Sequence, residues 1–194
     1  MTTRVLGVGL AGELPPNHAF RELAVRATVP EHFTPIALPM ALRRERKARV
    51  LVEAAERAFA NSPSLSAREL ERCALVVVTR YDGQPTNKID PANDRLVSFA
   101  EMAPTTVAFS FVSHMASSCV PSFFNLRGPA VTLGARVGLS AGLRVAERWI
   151  DEGAAPLALV IESDLELPVV VRAEPHVPHD YALAVLISNG GPAE

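Results

Sequence analysis

Gly138-Leu139-Ser140-Ala141-Gly142 has the G-x-S-x-G spacing of a serine nucleophile carried on a tight bend between a strand and a helix. Small residues on either side let the backbone turn sharply and expose the hydroxyl. The helix that follows offers free N–H groups at its start, which favour developing negative charge. Asp164 and His179 come later, in the order Ser…Asp…His. The residue types for acyl or thioester hydrolysis are therefore present: Ser140 as nucleophile, His179 as base and Asp164 to orient it. The opposing observation is that strings of Gly, Ser and Ala are common wherever a helix packs closely, and such a serine can simply be a packing residue.

Other constellations are weaker. His176 and His179 flank Val177-Pro178 and could pair on a metal, but the proline disfavours a helix and no cysteine or third histidine lies nearby. Glu162, Asp164 and Glu166 alternate after an apolar run; paired carboxylates can do acid/base work, and a strand end entering solvent accounts for them as well. His114, between Ser113 and Met115, could be a core histidine or line a cleft, and a core or interface place suits it better. Gly7, Gly9 and Gly12 match a dinucleotide fingerprint in form, yet Pro15 and Pro16 stand where the phosphate-binding helix should begin. Cys73 and Cys119 lie in apolar surroundings and suggest no disulfide framework. No cofactor or metal is expected.

The elements that must position these residues can be read from periodicity. Arg4 to Leu10 reads as a buried strand ending at Gly12, followed by a proline-rich connection with a helical turn near Ala19 to Arg26. Leu51, Ala54, Ala55, Ala58 and Phe59 form an apolar stripe on a helix over 41–60, stopped by Asn61-Ser62-Pro63. Ser66 and Glu69 have capping-box spacing for a short helix to about Arg72. Cys73 to Thr79 has the continuous apolar character of a strand buried on both faces, and Tyr81 to Asp94 reads as a loop. A further helix falls between Phe99 and Phe124, with Pro121 limiting its far end. Strand Val131 to Ala135 then leads through the elbow into a helix with the stripe Leu139, Leu143, Ala146, Ile150, stopped at Gly153. Leu157 to Ile161 and Tyr181 to Ser188 are the last strands. Alternating strands and helices predict one α/β domain over 1–194, with a mixed, mostly parallel sheet and helices on both faces.

Composition sets outer limits. A chain of 194 residues, 48% hydrophobic and 21% charged, suits a single globular domain. A net charge of −2 argues against a dominant electrostatic role with nucleic acid. The one basic cluster, Arg43 to Arg49, reads as a solvated helix face, or as a surface for an acidic partner. No apolar run approaches the roughly 18 residues needed to span a bilayer, and no signal peptide is evident, so a cytoplasmic protein is expected.

Leu126-Arg127-Gly128-Pro129, preceded by Phe124-Asn125, resembles the Tyr-Gly-Leu-Arg-Gly-Pro run of β-ketoacyl synthases, which share the thiolase fold. The likeness spreads over most of the chain: a Val/Gly-rich first strand, a basic Ala-rich helix, a short helix and buried strand, the elbow, and the strand Leu157 to Glu162. Pro104 to Met115, with Ser110 and His114, looks like small stand-alone relatives found with aryl-polyene and related polyketide pathways. In the family a cysteine stands nine residues after the Gly of Gly-Pro; here that place is Val137, or Arg136 when counted back from Gly153. Neither is a thiol. The family's catalytic histidines come from a second half that this chain does not contain.

The resemblance therefore implies a ketosynthase N-terminal-half fold without the nucleophile. The expected role is a non-condensing accessory protein in polyketide or fatty-acid-like biosynthesis, binding a ketosynthase, an acyl carrier protein or an acyl chain. His114, Leu133, Val137 and Leu139 are the candidate residues of an acyl pocket or interface. A homodimer or heteromer is expected, with Val131 to Ala135 at the two-fold and the apolar face of Leu139, Leu143 and Ile150 in need of cover. The alternatives are a serine-dependent acyl or thioester hydrolase using Ser140, and a purely structural remnant.

Overall fold

A computed structural model describes residues 3–27, 46–79, 89–90, 95–96, 115–134, 137–164 and 181–190. Its elements are β1 (Thr3–Gly12), α1 (Arg21–Ala24), α2 (Arg46–Ala60), α3 (Ala67–Glu71), β2 (Ala74–Thr79), β3 (Ile89–Asp90), β4 (Arg95–Leu96), α4 (Met115–Phe124), β5 (Ala130–Gly134), α5 (Gly138–Asp151), β6 (Leu157–Asp164) and β7 (Tyr181–Asn189). His114, Ala135, Arg136, Glu166, His176 and His179 lie outside the described residues, as do Arg43 to Glu45 and Pro104 to His114.

The main sheet has five strands in the order β1-β7-β6-β2-β5. Pairing is parallel through β6, β2 and β5, and antiparallel on both sides of β7. Every strand but β7 thus points the same way, and the sheet is mixed.

Each face carries a helical layer. On one, α2 lays Leu51, Ala54, Ala55 and Ala58 against Leu75, Val77, Leu159 and Ile161, with Cys119 and Val120 of α4 beside them. On the other, Leu139, Ala146 and Ile150 of α5 meet Val76, Val78, Ala158 and Val160. β2 is buried along its whole length, as its unbroken apolar run requires.

Gly7 and Gly9 owe their identity to packing. A methyl group built on either would strike a backbone carbonyl of α2, Ala58 for the first and Ala54 for the second. Only a bare backbone lets α2 ride this close to β1, which accounts for the glycine spacing without a nucleotide. Asn61 Nδ2 donates to Val8 O at 2.9 Å and Arg57 donates to Leu10 O, fastening the end of the helix to the strand.

Two expectations shift. Pro121 does not end its helix: α4 runs on to Phe124 and closes with Asn125 in the left-handed region (φ 52°) and a bond from Leu126 N–H to Pro121 O. That is the bond pattern of a Schellman close; Pro121 forfeits one bond back into the preceding turn but leaves the turn after it free to form. The loop expected over Tyr81 to Asp94 includes a two-residue strand, Ile89–Asp90, paired antiparallel with Arg95–Leu96. The capping box at Ser66 forms as its spacing requires, Glu69 N–H donating to Ser66 Oγ and Ser66 N–H to Glu69 Oε2.

Candidate functional site at the elbow

Leu126-Arg127-Gly128-Pro129 delivers the chain to β5 and is held by the neighbouring strand. Arg127 N–H donates to Glu71 O, Leu75 N–H donates to Pro129 O, and Arg127 pairs with Glu71 at 3.0 Å. A side chain at Gly128 would strike the Cys73 carbonyl, so the motif is the clasp that sets β5 in register on β2.

Past β5 the chain turns into α5. Val137 is the N-cap residue and is half exposed (50%), with no side-chain cap bond. Gly138 has φ +62°, a left-handed conformation that glycine adopts without strain and that a β-branched residue resists. Ser140 stands exposed in the first helical turn, two residues beyond that bend, rather than at the bend itself. Gly142, the second glycine of the G-x-S-x-G string, faces the sheet: a methyl there would lie 2.8 Å from Val160 Cγ1 and 2.8 Å from Val78 Cγ2. Its role is close helix–sheet approach.

The carboxyl end of β6 lies beneath this bend. Glu162 and Asp164 alternate with Ser163 and so face the α5 side, where Glu162 is paired in register with Val78 and Asp164 with Tyr181. Of the two readings open for these carboxylates, a strand end running into solvent does not describe Glu162, whose side chain is only 13% exposed. Its Oε2 lies 3.1 Å from His18 Nε2, and it also accepts from the backbone N–H of Leu139. Burial pushes the Glu162 carboxyl up from its ordinary value, while His18 and the Leu139 N–H hold it back. His18 itself sits edge-on to Tyr181, with ring centroids 5.3 Å apart.

His18 and Tyr181 were not among the residues singled out by sequence. His18 is 144 residues from Glu162 and follows a proline pair in an irregular connection, so spacing holds no signal for it. Topology alone brings the pair together.

The other candidates separate. Leu139 is core, 1% exposed, and Leu133 packs partly buried on the same face. An open groove of about 400 Å³ lies on the opposite face, between α4 and the β2–β5 edge, lined by Leu75, Val77, Ser118, Pro121 and 130–132. Cys73 is wholly buried and its thiol is pushed up to about 12 by that burial, while Cys119 packs in the α2 core. Among the described residues no group of three His, Cys, Asp or Glu could hold a metal, and no helix is long and apolar enough to cross a membrane.

No family model matches the chain, and no curated protein is significantly similar to it. Solved structures are. The ishigamide ketosynthase/chain length factor aligns over 100% of this chain and 64% of its own, with a TM-score of 0.64 and 14% identity. A type II polyketide-synthase acyl carrier protein in complex with its ketosynthase bound to the hexaketide gives 0.66 and 16%, over 96% of this chain and 63% of that one. A ketosynthase in complex with its chain length factor from Xenorhabdus doucetiae gives 0.58 and 20%, over 98% and 80%. The chain thus spans less than two thirds of the first two structures. Its fold is thiolase-like, of the ketosynthase kind.

Proposed function

We propose that this chain is a non-condensing, ketosynthase-like accessory subunit of a polyketide or fatty-acid-like pathway, the aryl-polyene type included, and that it binds a ketosynthase through the outer edge of β5. The observation that carries the reading is the conjunction of a strand at the sheet's edge with an elbow that has no thiol. Among the described residues β5 is the last strand of the main sheet, pairs there with β2, and is exposed at both ends and partly buried between. A strand at the edge of a sheet is a template on which a further strand can be added. Val137 is the first residue of the turn into α5, and by the resemblance it or Arg136 takes the place of a ketosynthase nucleophile; condensation needs a thiolate to take the acyl group. The resemblance to a ketosynthase that works with a chain length factor supports a partnered role rather than independent catalysis. A two-fold copy of β5 is the alternative occupant of the same edge.

Co-expression with a ketosynthase and an acyl carrier protein of a type II polyketide system from the same organism, followed by light scattering on the size-exclusion peak, tests the proposal. The expected result is a stable complex with the ketosynthase, broken by Leu133→Lys, and no acyl adduct on this chain by intact mass after incubation with acyl-thioesters. A monomer indifferent to Leu133→Lys and to the ketosynthase would overturn it. An adduct on Cys73, Cys119 or Ser140 would move the chain to the acyl-transfer or hydrolase class.

A further inference from the structure

At the start of α5 a carboxyl group of the protein already takes one of the free donors of the helix. His18 Nδ1 accepts from Phe20 N–H at 3.2 Å, so Nε2 carries the ring proton and the Glu162 oxygen is its acceptor. The Leu139 N–H, one of the unpaired donors of the first helical turn, is given to the same carboxylate. Its second oxygen, Oε1, hangs over the bend: a methyl group on Gly138 would lie 3.9 Å from it. The remaining titratable neighbours are Asp164, next on the same face of β6, and Tyr181 on β7, whose ring abuts His18.

We infer that Glu162 is a resident anion of the elbow, held by His18 and Leu139, which occupies the helix start in place of a ligand's oxyanion or a neighbouring thiolate. A helix N-terminus favours one negative charge, and a carboxylate already seated there disfavours a second. The departure from thiol-based acyl chemistry is then double: residues 136 and 137 are Arg and Val, and the field that would activate a thiolate there is neutralised from inside. The inference holds whichever partner the chain binds, because it concerns only residues within the fold.

The test places a thiol in that field. Val137→Cys, at a half-exposed site, is alkylated with iodoacetamide across a pH series, the modified peptide being identified by mass so that Cys73 and Cys119 do not contribute. An unopposed helix start lowers a cysteine into the range of about 3.5–7.5, against an ordinary value of about 8.5. The expected midpoint for Val137→Cys is at or above about 8.5. Adding Glu162→Gln should lower it by about one unit, a tenfold gain in thiolate fraction on the acid side of the midpoint. A midpoint below about 7.5 with Glu162 in place overturns the inference whether or not the double variant folds. A folded double variant with an unchanged midpoint also overturns it.

Discussion

Glu162 links two readings of one carboxyl group, as a structural acceptor and as a charge that burial disfavours. Because burial raises its folded-state value above the unfolded one, of about 4.3, the native protein holds this proton to a higher pH than the unfolded chain does. The sign follows by linkage: the stabilisation is fully present below about pH 4.3 and is lost as pH rises through the raised value. Glu162→Gln cannot titrate. The urea midpoint of the natural chain should therefore gain on that of Glu162→Gln as the buffer is acidified from pH 7 toward 4. A gap that stays constant over that range would show that burial does not control this group. Cys73 is the simpler case, since a thiol near 12 stays protonated at neutral pH and has no useful nucleophilicity.

The helices and strands show what an apolar pattern encodes and what it leaves out. Gly142 is needed because α5 lies so close to β2 and β6 that a single added carbon would meet two valine methyls at 2.8 Å. Gly142→Val should cost about 1–3 kcal/mol by overpacking, read as a lowered urea midpoint without loss of secondary structure by circular dichroism. A neutral substitution would mean that the helix can lift without penalty. The stripe of Leu139, Ala146 and Ile150, the run Ala74–Thr79 and the Ser66 cap were all legible in sequence, because each depends on neighbours a few residues away. Leu143 belongs to the stripe but is only partly buried, since Gly142 takes the position closest to the sheet. The reach of α4 past Pro121 was not legible, since local rules mark proline as a stop, whereas the helix closes one turn later at Asn125. The His18–Glu162 contact was least legible of all, having no period, motif or spacing to betray it.

The whole sheet is tied together by its one reversed strand. β1 reaches the other strands only through β7: Val8 faces Val185 and Leu10 faces Leu183 on one side, and Val160 faces Val185 on the other. The consequence is one of timing. As the polypeptide is made, β2, β5 and β6 can pair as soon as they are available, but the strand synthesised before them must wait until Tyr181–Asn189 has emerged. Pairings between such distant segments carry a large loop-closure cost and slow the final step of folding. Nascent chains halted after Asp164 should therefore leave β1 open to limited proteolysis, and chains extended beyond Asn189 should protect it. Equal protection at both lengths would mean that α2, through Asn61 and Arg57, holds β1 unaided. A chain built this way completes its first strand last, and until then both flanks of its sheet are open to a partner strand.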